Sequence, residues 1–331
     1  MRRREFIAGL AGAAALPLTA RAQQPKVPRV GLLNGVSFEG SYAGPAAAIR
    51  QGLQEAGFVD GQNLAIEYRT ADGEYERLAE LAADLVRSEV AVIVAIGAST
   101  PELAAMAAIS NIPVLFAQGT DIVEVGLVSG PTRPEANPTG MRLATVELAA
   151  KRLDLLLELR PGASLFGYLD NSRSSPSFET NSANFAAAAR LKGRDLVAFD
   201  AATEEEIESA FTGIALNRVR ALVVGHDAFL NTRQKQIIEL AAESRLPTVY
   251  ATRGAVMQGG LMSYGVPANV TNDLYRLAGI YAGRILKGEI PPELPITLPA
   301  RFEFVINRTT ANTMRVAVPP RLLIRADEVI G

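Results

Sequence analysis

The stretch "GHDAFLNTR" (225–233) holds the only histidine of the chain, His226, with Asp227 directly after it. A histidine beside an acid suggests a general base with its orienting carboxylate. A catalytic triad, however, needs the acid on the far side of the imidazole from the nucleophile, which adjacent residues rarely achieve. Asp227 follows a short buried run and so stands at a strand's carboxyl edge, where an acceptor-only carboxylate suits a ligand ammonium or hydroxyl. The competing role is to cap the next helix. His226 then reads as a wall or supporting residue. The stretch looks built to hold, not to react.

Other polar loops carry similar chemistry. In "GASTP" (97–101), Thr100 fits an N-cap and Pro101 a first helical position, and the free N–H groups there with the Ser99 hydroxyl suit an anion. Simple capping is the alternative. "QGTDI" (118–122) adds Gln118 and Asp121. In "DNSRSSPSF" (170–178), Asn171, Ser172, Ser174 and Ser175 are short hydrogen-bonding groups, and Arg173 could clamp a carboxylate at two points. Phe38, Phe178 and Tyr264 could stack on a flat ligand, though each also fits packing. No Gly-rich phosphate fingerprint and no G-x-S-x-G elbow occurs, so dinucleotide binding and that form of serine catalysis are not expected.

The composition narrows the chemistry further. There is no cysteine, so disulfides, thiolate metal sites and a cysteine nucleophile are excluded, and one histidine makes a protein-only zinc site improbable. We expect no cofactor and no metal. Residues 1–22 carry four arginines and one glutamate; the rest holds 29 basic and 34 acidic side chains, net −5, which argues against a nucleic-acid partner. Those first residues, "MRRREFIAGLAGAAALPLTARA", combine a basic start, a short apolar run and a small-x-small end. That is a secretory signal, with Arg3-Arg4 resembling a twin-arginine address, and the mature chain should start near Gln23.

These loops need elements to position them. "RVGLLNG" (29–35), "VAVIVAIG" (90–97) and "IPVLFAQ" (112–118) are buried-strand runs separated by amphipathic helices, as in "YERLAELAADLVRSE" (75–89). After a break at "TRPEANPTG" (132–140) the alternation restarts, with strands at 163–169, 195–199, 219–225 and 246–251 and helices at about 143–159, 177–191, 203–216 and 231–244. The fold class expected is α/β: two doubly wound parallel-sheet lobes joined by a hinge. Lobe one takes 28–141 plus about 266–298, and lobe two 142–265 plus about 299–325. Ligands bind beyond the carboxyl ends of such strands, so the polar loops should face one another across a cleft.

Several stretches carry a resemblance. "GLLNG" (31–35), "RQGLQEAGFVDGQNLAIEYR" (50–69), "AIGAST" (95–100), "NPTGM" (137–141), "GGLMSYG" (259–265), "ILKGEIPPELPI" (285–296), "FVINRTTANTM" (304–314) and "VPPRLLIRADEVI" (318–330) together resemble the ABC-transporter substrate-binding proteins that include tryptophan- and tyrosine-binding receptors. The resemblance spans almost the whole mature chain. It implies a type I periplasmic-binding-protein fold, three chain crossings, hinge closure on a small molecule, and delivery of it, by a monomer, to an ABC permease and ATPase. It also implies ligand contacts at Ser37, Phe38, Ala98, Ser99, Asn171, Ser172, Asp227 and Tyr264. The sequence departs from the amino-acid receptors at His226 and Phe229, so other carboxylates, aromatic acids included, come into view.

The expected function is therefore a periplasmic receptor, not an enzyme, for a small carboxylate-bearing ligand. Two other classes fit the same cleft: an exported sensory module, and a hydrolase or isomerase using Asp227 with His226 or Asp121.

Overall fold

A computed structural model describes residues 27–97, 99–108, 111–118, 138–142, 145–175 and 178–331. The expected signal segment, Ala98 and Asp121 lie outside these residues. The first unit runs β1 (Arg29–Asn34), α1 (Ala43–Glu55), β2 (Ala65–Thr70), α2 (Leu78–Arg87), β3 (Val92–Ile96), α3 (Ser99–Ala108), β4 (Val114–Gln118) and β5 (Pro138–Arg142). Its five strands are all parallel, in the order β2-β1-β3-β4-β5. Alternate residues of a strand face opposite ways, so Leu32 and Val94 meet Ile49 and Leu53 of α1, while Leu33 and Ile93 meet Leu85 and Ala105 of α2 and α3. Both faces are covered, which is why these strands read as continuous apolar runs.

The second unit runs α4 (Thr145–Leu159), β6 (Leu165–Asp170), α5 (Phe178–Leu191), β7 (Asp195–Asp200), α6 (Glu204–Leu216), β8 (Leu222–Val224), α7 (Ala228–Thr232), α8 (Gln234–Glu243), β9 (Thr248–Tyr250), α9 (Arg253–Met257) and β10 (Met262–Gly265). The chain then forms α10 (Ala268–Leu286), β11 (Glu303–Asn307), α11 (Arg308–Met314), α12 (Pro320–Arg325) and β12 (Glu328–Ile330). The second sheet has the order β12-β11-β10-β9-β8-β6-β7, parallel except for β10 against β11.

The last fifth of the chain returns to both units. Helix α10 lies against α1 so closely that a Cβ on Gly279 would stand 2.1 Å from the Ile49 carbonyl oxygen, and one on Gly52 1.9 Å from that of Arg276. Beyond α10, Thr297 N–H donates to the Gly140 carbonyl at 3.0 Å and Arg142 N–H to that of Thr297 at 2.9 Å, closing the edge of the first sheet. The chain then re-enters the second sheet as β11.

Three local expectations change. The break at 132–140 ends in a strand, because Pro138 opens an edge strand where its missing N–H costs nothing and Gly140 lets the backbone approach Phe116. The helix expected over 231–244 is two, since Asp227 starts α7 at Ala228 and the chain turns at Arg233. Thr100 is not an N-cap: α3 begins one residue earlier, and the Thr100 hydroxyl points out of it.

Candidate functional site

The carboxyl ends of β6 and β8 lie side by side, which brings Asp170 and Asn171 against the Gly225-His226-Asp227 turn. Gly225 permits this: a Cβ there would come 2.4 Å from Asp170 Oδ1. Asp227 is buried, 3% exposed, and its hydrogen-bond partners all come from its own lobe. Its Oδ1 accepts from Leu230 N–H at 2.8 Å, capping α7, and from Asn171 Nδ2 at 3.3 Å, while its Oδ2 accepts from the Ser174 hydroxyl. The capping alternative is thus realised, and the carboxylate expected to take a ligand group is already engaged by its own lobe.

Behind it, the Tyr168 hydroxyl donates to Asp170, and the Tyr168 ring stacks on Phe185. Burial, then the neighbouring Asp227, pushes the Asp170 carboxyl up to about 7. Arg152 of α4 is 1% exposed, and its Nε donates to the Tyr264 carbonyl at 2.8 Å. Burial lowers its guanidinium to about 10, so it stays charged at neutral pH. His226, beside it, is held at about 4 by burial and then by the Arg152 charge. It is neutral in solution near pH 7.

The first lobe presents a tyrosine wall. Tyr42 and Tyr75 are buried, and burial followed by nearby charges, Asp227 among them, keeps both phenols protonated. Asn34, the last residue of β1, is fully buried with neither side-chain polar atom hydrogen-bonded. Gly97, at φ +93°, turns the chain past it; a Cβ there would stand 2.6 Å from Asn34 Oδ1 and 3.2 Å from the Tyr42 hydroxyl. Across the gap, the Thr100 hydroxyl donates to the Ser174 carbonyl at 2.8 Å, with the Arg173 carbonyl at 3.2 Å alongside. The two lobes are in hydrogen-bonded contact.

Between them, on the side of α10, lies a cavity of about 190 Å³. Ser41, Pro45, Thr271 and Asn272 line it from one side, and Leu148, Arg152, His226 and Thr252 from the other.

The expected site residues divide. Asn171 and Asp227 meet in the polar layer, and Tyr264 contributes its carbonyl to Arg152. Ser37 is exposed and accepts from Glu39 N–H at 3.1 Å, while Phe38 packs edge-on against Tyr68 with ring centres 5.3 Å apart. Ser172 turns to Asp200, its N–H and hydroxyl donating at 2.8 and 2.5 Å. The exposed Arg173 guanidinium pairs with Glu206 at 2.9 Å. Phe178 is buried in the core. Ser99 opens α3 and Gln118 ends β4, but their side chains, like Ala98 and Asp121, lie outside the described residues.

Arg152 was missed, although a signal exists. It sits on the buried stripe of α4 with Leu148, Leu155, Leu156 and Leu159, and a lone cation on an apolar stripe needs a reason. Among the described residues no cluster of three or more histidine and acidic side chains could cage a metal. No described helix is long and apolar enough to cross a membrane.

With this geometry in hand, known proteins can be compared. A tyrosine-binding protein of Clostridioides difficile (strain R20291) is 26% identical over 263 residues, covering 79% of this chain and 74% of that protein. The crystal structure of an ABC domain in complex with L-Trp from Streptococcus pneumoniae is similar at a TM-score of 0.78 and 26% identity, covering 92% of this chain and 99% of that one. A conserved domain protein of Vibrio cholerae shares the fold at a TM-score of 0.82 and 23% identity, over 92% of this chain and 100% of that one. Two parallel-sheet lobes enclosing a cavity, and a match over residues 30–330, make this chain a member of the ABC transporter substrate binding protein family.

Proposed function

We propose that this protein is an exported receptor that closes two lobes on a small carboxylate-bearing molecule, an amino acid or an aromatic acid, and presents it as a monomer to an ABC importer from the periplasm. One observation carries the reading: a cavity with a wall from each lobe lies beside a direct hydrogen bond between the lobes, from Thr100 to Ser174. A ligand that touches both walls favours the closed arrangement by its differential contacts, which is how binding becomes a shape that a permease can read. The similar proteins described as tyrosine-binding and as an L-Trp complex support a ligand of this size and charge. Family membership supports binding without turnover. So does the geometry at the His-Asp pair, where Asp227 is spent on a helix cap and two side chains.

Two measurements test this. Small-angle scattering should show contraction when the ligand, identified by mass spectrometry of what co-purifies, is added back, and the ligand should be recovered unchanged. A radius that does not respond, or a chemically altered ligand, would end the receptor reading. Amino-terminal sequencing of a periplasmic fraction should begin near Gln23.

A further inference from the structure

We propose that Arg152 seats the ligand's carboxylate, and that its cavity selects small ring-bearing acids without an ammonium group. This rests on the receptor reading and narrows its ligand class.

Burying a guanidinium costs several kcal/mol unless a partner compensates it. Arg152 is nearly fully buried, yet among the described residues no carboxylate lies within ion-pair distance of it. Its Nε is used by the Tyr264 carbonyl. Asp170 is close enough to be felt, but Tyr168 holds that carboxyl. Arg152 lines the cavity, and so does His226, which at neutral pH adds a neutral hydrogen-bonding edge without a charge. An anion entering there would supply the missing counter-charge, and Arg meets a carboxylate at two points.

The rest of the cavity says which acids fit. Its volume of about 190 Å³ exceeds the roughly 150 Å³ of a cavity that holds benzene. Pro45, Leu148 and Val266 supply apolar wall for a ring. Among the described residues no aspartate or glutamate lines it, and its second cation, Arg253, is paired with Glu328 at 2.7 and 2.8 Å. An ammonium would therefore enter a wall carrying two guanidinium groups. Asp227 is buried and already accepts hydrogen bonds from Leu230, Asn171 and Ser174.

Calorimetric titration of the purified protein near neutral pH decides the matter. The probes are benzoate, 4-hydroxybenzoate and phenylacetate, the amides of all three, and L-phenylalanine and L-tyrosine. At least one acid should bind, with its amide and both amino acids weaker by about tenfold or more. Arg152→Gln should weaken that acid about tenfold to a hundredfold and erase its advantage over the amide, while Arg152→Lys keeps part of it. An amide or amino acid that binds as well as the acid, an acid unaffected by Arg152→Gln, or no acid binding at all would overturn the proposal. If Arg152→Gln fails to fold by circular dichroism, the ratios measured on the unaltered protein still decide. Contraction with an amino acid alone would refute this subsite while leaving the receptor reading intact.

Discussion

The Thr100 hydroxyl donates to the Ser174 carbonyl at 2.8 Å, and the Ser174 hydroxyl donates in turn to Asp227. Thr100 stands in the first turn of α3 in one lobe, while Ser174 and Asp227 belong to the other. Ser174 thus links the contact that joins the lobes to the carboxylate that organises the second lobe's rim. Thr100→Val keeps the shape and removes the donor. A net hydrogen bond is worth about 0.5–1.5 kcal/mol, so ligand affinity should fall roughly two- to tenfold. The ligand-free protein should also scatter as a larger particle. Identical affinity and radius would mean that the bond adds nothing to closure.

Asp227 should matter more to stability than to ligand contact. Asp227→Ala removes the α7 cap and strands the buried Asn171 amide, while the Ser174 hydroxyl keeps the Asn171 carbonyl at 3.2 Å as an acceptor. Loss of a cap costs about 1 kcal/mol and a stranded polar group about 1–3, so denaturant unfolding should show a loss of about 3 kcal/mol. Asparagine caps as well as aspartate, and Asp227→Asn should recover part of it. If Asp227→Ala instead left stability unchanged and abolished binding, the carboxylate would be a ligand group after all.

His226 should make the protein acid-sensitive. Its pKa is about 4 in the folded chain against an ordinary 6.5. Between those values the unfolded chain binds the extra proton, so stability is lost as pH falls from about 6.5 to about 4. The ceiling is about 3 kcal/mol, reduced by the part of the ring that meets the cavity. His226→Gln should flatten this slope in unfolding curves measured across the window. An unchanged slope would show that the ring is solvated.

Asp170 should act in the opposite sense. Its carboxyl is raised from 3.8 to about 7, so the folded chain keeps a proton that the unfolded chain releases. Stability from this group is full below about 4 and declines as pH rises towards 7. Asp170→Asn preserves an acceptor for Tyr168 and should raise the melting temperature by a few degrees, roughly 2–4 °C per kcal/mol, at neutral pH. The gain should vanish near pH 4. A gain that is equal at both pH values would have another origin.

The α1–α10 contact is predicted to tolerate no side chain at Gly279. A methyl there meets the Ile49 carbonyl at 2.1 Å, and overpacking against backbone costs about 3 kcal/mol. Gly44→Ala, on the same α1 but exposed and 4.0 Å from the nearest atom, should instead be neutral or stabilising by about 0.5–1 kcal/mol. Thermal melts of the two variants separate a packing effect from a helix-propensity effect.

Periodicity was enough to read the alternation of strands and helices, because a strand buried on both faces must be apolar throughout and its covering helices must carry one apolar stripe. The same reasoning places the polar loops at the carboxyl edges of the sheets, and the adjacency of His226 and Asp227 already argued against a triad. Pattern reports that a face is buried without reporting what it is buried against. Arg152 therefore looked like any helical cation, and Thr100 like a cap, since each depends on a partner far away in the chain: Tyr264 and Ser174. Asp227 was legible as a choice between ligand and cap. Only packing β8 beside β6 brought Asn171 and Ser174 onto its carboxylate while it caps α7, because hydrogen-bond satisfaction of a buried charge is a property of the assembled neighbourhood and not of the residue.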